Sequence, residues 1–129
     1  IITTGYVSRA YAQNYIAYLA NTLMENDFWK NQIEQINVTP DLGIELVPRV
    51  GNHIVYIGQL PKCNDKNLRG KEIKNFVDKK LNRLRKFYLY GLSQAGWNKY
   101  SYINLEFDNQ IICKKRSLKK TETRTENVI

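Results

Sequence analysis

The segment from Lys71 to Ser93 limits the possible folds more than any other part of this 129-residue chain. Its apolar residues recur at the spacing of one helix face, namely Ile73, Val77, Leu81, Leu84 and Tyr88. The opposite face has the cations Lys74, Lys79, Arg83 and Lys86. We expect that basic face to be solvated. Because such a helix must bury its apolar face, the pattern predicts a long amphipathic helix packed on a second layer.

Short runs rich in β-formers precede and follow this helix. Before it, residues 33–39, 44–48 and 53–58 are separated by the turn residues of 40–43 and 51–52. After it, residues 100–107 and 110–116 flank Asp108-Asn109, a favourable two-residue turn. Short connections favour antiparallel neighbours, so these runs predict a three-stranded meander and a closing hairpin.

The beginning of the chain predicts one more helix. Residues 1–6 form an extended lead-in, and Ser8 is placed to cap a helix over residues 9–26. Its apolar stripe is Tyr11, Tyr15, Leu19 and Leu23. The order helix, meander, helix, hairpin predicts an α+β fold. We expect an antiparallel sheet of about five or more strands, with two main helices packed mostly on one face. Residues 117–129 lack an apolar period and are predicted to be a disordered polar tail.

The charge of +8 raises nucleic acid, an anionic membrane and an acidic protein as partners. The cations cluster in residues 62–86 and 114–124, which we interpret as a solvated helix face and a tail. No zinc spacing, RNP-type aromatic motif or helix-turn-helix pattern accompanies them. A basic nucleic-acid-binding module therefore stays as an alternative, and so does a secreted adhesin or ligand-binding domain.

The reactive side chains do not form a catalytic pattern. His53 is the single histidine, and it opens a strand after a turn, where an exposed position is expected. Cys63 and Cys113 lie far apart, so one disulfide is possible but a framework is not. No nucleophile elbow, phosphate loop or metal spacing is present. We expect no enzyme, no cofactor and no metal site.

No apolar stretch reaches the length of a membrane span, and no signal peptide opens the chain. The chain does not begin with methionine, so we expect that it comes from a longer protein.

Residues 97–116 resemble the closing segment of the bacterial cell-division family FtsQ/DivIB. In that family an aliphatic-Asp-Leu-Arg-aromatic strand precedes a short turn and a basic strand, and Ile103, Leu105 and Phe107 match it. Asn104 and Glu106 replace the usual Asp and Arg. Upstream, residues 47–58 are similar to a family segment that ends in a strand-terminal glycine. The resemblance covers residues 1–116 as the family's β domain, with residues 1–6 leading in from a missing POTRA domain.

The resemblance implies a periplasmic scaffold of the divisome at the septum, anchored to the inner membrane by sequence absent here. It implies the FtsB–FtsL pair as partner, no nucleic acid, and binding by strand addition to the C-terminal edge strand. The expected partner-binding residues are Tyr102, Phe107, Asn109, Gln110, Ile111, Ile112, Cys113, Lys114, Lys115 and Arg116. We expect Phe107 to be mainly a core residue, and Trp97 and Tyr100 are further aromatic candidates for partner contact.

Overall fold

The computed structural model describes residues 2–50, 52–92, 96, 98–115 and 125–128. Seven strands within these residues form one sheet in chain order. They are β1 (Ile2–Gly5), β2 (Ile33–Val38), β3 (Gly43–Pro48), β4 (Ile54–Gln59), β5 (Tyr100–Asn104), β6 (Ile111–Lys115) and β7 (Thr125–Val128). The helices are α1 (Arg9–Tyr11), α2 (Ala17–Glu25) and α3 (Lys66–Phe87). A π-helical turn at Ala12–Ile16 joins α1 to α2, and another at Tyr88–Leu92 follows α3.

The α+β class is confirmed, but the expectation of a purely antiparallel sheet was wrong. β1 pairs in parallel with β2, and β4 pairs in parallel with β5. The remaining neighbours pair antiparallel. Helices connect the two parallel pairs: α1 and α2 lie between β1 and β2, and α3 lies between β4 and β5. A helical crossover returns the chain to the same end of the sheet, so the next strand runs in the same direction.

Both ends of the described sheet differ from the sequence-based expectation. The extended lead-in is a true strand, because Ile2–Gly5 pairs with residues 35–38 of β2. A disordered tail was expected over residues 117–129, yet Thr125–Val128 pairs antiparallel with β6. The expectation that β6 is the edge strand was therefore wrong, since β7 is the last strand of the described sheet. Strand pairing uses backbone groups, so it does not require the apolar period on which the sequence prediction depended. Residues 116–124 and 129 lie outside the described residues.

The helix caps explain where the helices begin. The Ser8 hydroxyl accepts a hydrogen bond from the Tyr11 amide at 3.1 Å, as predicted. The Asp65 carboxylate accepts from the Asn67 amide at 2.9 Å, and α3 begins at Lys66, five residues before the predicted start. The first turn of α3 is too polar to show an apolar stripe, so only the cap marks its start.

One core lies between the helices and one face of the sheet. The helices contribute Leu19, Leu23, Ile73, Val77, Leu81 and Leu84 to it, and the strands contribute Ile33, Ile36, Ile44, Leu46, Val55, Ile57 and Ile103. Residues that alternate with these along the strands are half-buried, among them Gln35, Asn37, Glu45, Tyr56 and Tyr102. The second face is therefore mixed in polarity and partly open to solvent, and we call it the open face.

Candidate protein-binding site at the end of the sheet

The turn from Leu105 to Gln110 joins β5 to β6, and a buried lysine of α3 holds it. The Lys80 ammonium donates to the carbonyl oxygens of Leu105 at 2.7 Å and Glu106 at 2.9 Å. It also lies 3.6 Å from the Asp108 carboxylate. Only 3% of Lys80 is exposed. Lysines are rarely buried unless they have partners, and Lys80 has three. The three oxygens replace the water that the ammonium loses on burial.

Arg83, one turn further along α3, holds the rest of the same turn. Its guanidinium donates from Nη1 to the Phe107 carbonyl at 2.6 Å and from Nη2 to the Gln110 carbonyl at 3.0 Å. A longer bond of 3.3 Å reaches the Leu105 carbonyl. We call Lys80 and Arg83 together the helix clamp. The clamp fixes both ends of the turn, so it sets where β6 begins.

The electrostatics of the turn follow from these cations. Lys79 lies 3.4 Å from the Asp108 carboxylate, and Lys79 and Lys80 together lower the pKa of Asp108. Burial lowers the pKa of Lys80, and the nearby Asp108 opposes that effect. Sequence analysis missed Lys80 and assigned Arg83 to a solvated face. No sequence signal identifies the clamp, because its acceptors are backbone carbonyls 22 to 27 residues away.

The side chains of β6 alternate between the core and the open face. Ile111 and Cys113 are buried, so a partner could reach only their backbone groups. Ile112 is half-buried and Lys114 is exposed, and both alternate with the core positions. Cys113 is not joined to Cys63 by a disulfide.

Tyr102 of β5 lies next to β6 on the open face, at the end of a row of polar contacts. Its hydroxyl donates to Oε2 of Glu45 at 2.8 Å, while Asn37 donates to Oε1 at 2.8 Å. Burial raises the pKa of Tyr102, and its bond to Glu45 raises it further. The Lys114 ammonium lies 5.5 Å from the centre of the Tyr102 ring. Tyr102 and Lys114 thus form one aromatic and cationic patch beside β6.

A groove of about 410 Å³ opens on the opposite side of the turn, between it and the end of α3. Its lining consists of Arg83, Lys86, Phe87, Tyr90, Gly91, Asp108, Asn109 and Ile111. Tyr90 is 73% exposed and Phe107, on the adjoining turn, is 44% exposed. The expectation that Phe107 is mainly a core residue was therefore wrong. The clamp draws the Phe107 backbone toward α3, and its side chain remains at the surface.

The structure brings most of the predicted partner-binding residues together. Three of them, Phe107, Asn109 and Gln110, lie in the turn between β5 and β6. Tyr102 lies in β5, and Ile111–Lys115 is β6 itself. Arg116 and Trp97 lie outside the described residues. Tyr100 is buried, so it belongs to the core.

His53 does not occupy the exposed turn position that its sequence context suggested. It is 2% exposed, and its Nε2 atom lies 2.7 Å from the Tyr88 hydroxyl. Burial raises the pKa of Tyr88. Ser8 is used as a helix cap. The described residues contain no group of three or more His, Cys, Asp or Glu side chains that could hold a metal ion. None of the helices in the described ranges is both long and apolar enough to cross a membrane.

Comparison with known protein families gives one result that covers most of the chain. Residues 1–114 match the family described as FtsQ/DivIB, C-terminal related. No curated protein matches the chain. The matched range includes the helix clamp, the turn and nearly all of β6.

Proposed function

Because the chain belongs to the FtsQ/DivIB, C-terminal related family, a family that indicates a role in cell division, we propose that it is a non-enzymatic divisome scaffold. It recruits the FtsB–FtsL pair by strand addition to β6. The main structural support is the position of β6 near the end of the sheet, directly after a turn that the helix clamp holds. A strand fixed in this way holds its backbone donors and acceptors in a constant direction, and in the described structure β7 pairs with those that face away from β5.

The chemistry of strand addition assigns different roles to the residues of this site. The backbone of Ile111–Lys115 forms the ladder, because each added strand pairs through N–H and C=O groups. Ile112 and Lys114 contact partner side chains on the open face, where Tyr102 adds an aromatic surface. Phe107 and Asn109 contact the partner at the turn. This division explains how buried residues such as Cys113 belong to the site without exposing a side chain.

Charge selects the partner. Lys114 and Lys115 end β6, and Arg116 follows them in the sequence. Lys86 and Arg83 line the groove on the other side of the turn. A partner segment with acidic side chains is favoured, because cations lie both at the end of β6 and in the groove. Opposite charges steer association and fix the register of the added strand. Cations at a strand end also discourage indiscriminate pairing with other edges.

Membership of the family supports the proposed location. The domain lies on the periplasmic side of the inner membrane at the division septum, anchored by sequence outside this chain. There it brings FtsB and FtsL to the division site.

Calorimetric titration with the periplasmic segments of FtsB and FtsL from the same organism tests this function. The parent chain is compared with Lys114→Glu, which reverses a charge at the site, and with Lys71→Glu, which makes the same change early in α3. We expect Lys114→Glu to weaken binding at least tenfold, in line with the loss of about 1.4 kcal/mol, and Lys71→Glu to have little effect. Equal losses in both variants would indicate an unspecific response to net charge. No binding by the folded parent would refute the proposal.

A further inference from the structure

β6 has two neighbours, and both come from this chain. On one flank β5 pairs with it antiparallel, with Asn104 opposite Ile112. On the other flank β7 pairs with it antiparallel, with Val128 opposite Ile111 and Thr125 opposite Lys114. Strand addition requires the flank of β6 that lies opposite β5, because β5 already fills the other flank. Thr125–Val128 therefore occupies the position of an added strand.

The β6–β7 pair has the properties of a contact that opens easily. β7 has four residues, near the lower limit of strand length. It forms the end of the described sheet, so its pairing rests on a single neighbour. Terminal segments with few supporting contacts open at a small fraction of the free energy needed for global unfolding.

The same pair is also easily re-formed. Only residues 116–124 separate β6 from β7 along the chain. A short tether keeps the effective concentration of an attached segment in the millimolar range. Thr125 and Val128 are β-branched residues, which favour strands. We therefore expect β7 to pair with β6 most of the time and still to leave it and return rapidly.

We infer that β7 is a built-in occupant of the β6 edge, and that a partner strand binds only after displacing Thr125–Val128. This inference rests on the proposed function. It adds that the free domain protects its own recognition edge, which limits pairing with wrong strands. It also means that partner affinity depends on the fraction of molecules in which β7 has left β6. The apparent dissociation constant equals the intrinsic one divided by that fraction.

The double variant Glu126→Pro/Asn127→Pro tests the inference. Successive residues of a strand direct their N–H groups to opposite sides, so one of the two prolines removes a donor that faces β6. Glu126→Ala/Asn127→Ala is the matched control, since it changes the same side chains and keeps both donors. β6 itself is unaltered in both variants.

Two measurements are made on the parent and both variants. The first is hydrogen exchange of the Ile111–Lys115 amides without partner. We expect alternate amides to exchange faster in the proline variant only. The second is calorimetric titration with the FtsB and FtsL segments. If about nine in ten molecules are self-paired, the proline variant binds roughly tenfold more tightly than the parent, and the alanine variant binds like the parent.

The outcomes separate this inference from the proposed function. Unchanged exchange in the proline variant would overturn the inference by showing that β7 does not protect β6. Faster exchange with unchanged partner affinity would also overturn it, while leaving strand addition at the site intact. If no variant binds the partner, the proposed function fails and displacement by the partner fails with it. The exchange data would then still report whether β7 pairs with β6.

Discussion

The Lys80 ammonium lies 2.7 Å from the carbonyl oxygen of Leu105, so a buried cation of α3 holds the turn that leads into β6. Arg83 completes this helix clamp through the carbonyls of Phe107 and Gln110. The clamp links the longest helix of the described residues to the strand proposed to receive the partner. Its contribution can be measured in the absence of any partner.

Replacing Lys80 with methionine keeps most of the side-chain volume and removes the donor. The carbonyls of Leu105 and Glu106 then lose a charged hydrogen bond, which we expect to lower the free energy of unfolding by roughly 1–2 kcal/mol. Urea denaturation measures the change. The control Lys79→Met removes an exposed cation that bonds only Asp108 among the described contacts, and it should alter stability by less than about 0.5 kcal/mol. Equal effects in the two variants would contradict a specific role for Lys80.

Replacing Arg83 with lysine keeps the positive charge but removes the guanidinium fork, that is, the pair of nitrogens Nη1 and Nη2. Arg83 reaches the Phe107 and Gln110 carbonyls with two separate nitrogens, and the single nitrogen of a lysine cannot occupy both of these positions. We expect faster hydrogen exchange over residues 105–111 and a small loss of stability. Arg85→Lys is the control, because Arg85 stacks on Phe28 on another side of α3. Unchanged exchange in Arg83→Lys would show that the turn is rigid without the fork.

Asp108 gives the turn a pH dependence with a defined sign. Lys79 and Lys80 lower its pKa below the ordinary value of 3.8, so the folded state binds this proton more weakly than the unfolded state. The stabilisation is therefore present above pH 3.8 and is lost as pH falls through the lowered pKa. We expect Asp108→Asn to be less stable than the parent near neutral pH, and the difference to vanish in acid. Denaturation curves at several pH values measure this. A difference that persists in acid would refute the electrostatic explanation.

The contact between His53 and Tyr88 connects the start of β4 to the π-helical turn after α3. Tyr88→Phe keeps the ring and removes the hydroxyl that lies 2.7 Å from His53 Nε2. Loss of this buried hydrogen bond should cost roughly 1–2 kcal/mol of stability. Thermal or urea unfolding measures the cost, with Tyr90→Phe as the exposed control. Equal stability of Tyr88→Phe and the parent would mean that the contact contributes only through packing.

Sequence patterns predicted the elements that have an apolar period. Ile73, Val77, Leu81 and Leu84 are buried as expected, and the runs around Ile36, Leu46 and Val55 are strands of the sheet. Ser8 caps the first helix as its position indicated. These features depend on neighbouring residues along the chain, so local spacing is enough to identify them.

The remaining features depend on contacts that spacing does not encode. The parallel pairing of Ile2–Gly5 with β2 requires the chain to return after a helix, and a short extended lead-in does not indicate such a return. The burial of Lys80 requires carbonyls from a turn that lies 25 and 26 residues later. The pairing of Thr125–Val128 with β6 is a strand ladder, which backbone groups form without an apolar period in the sequence. The family resemblance predicted the turn and β6 as the site, and this stays a prediction, whereas the clamp that holds the turn became visible only in three dimensions.

The most direct test of strand addition is hydrogen exchange of the Ile111–Lys115 amides in Glu126→Pro/Asn127→Pro, measured with and without the FtsB and FtsL segments. Without partner, alternate amides should exchange rapidly because β7 no longer pairs with them. With saturating partner, we expect the same amides to become protected as a new strand forms its ladder with β6. If calorimetry shows saturated binding while these amides still exchange at the rate of the free variant, strand addition to β6 is contradicted.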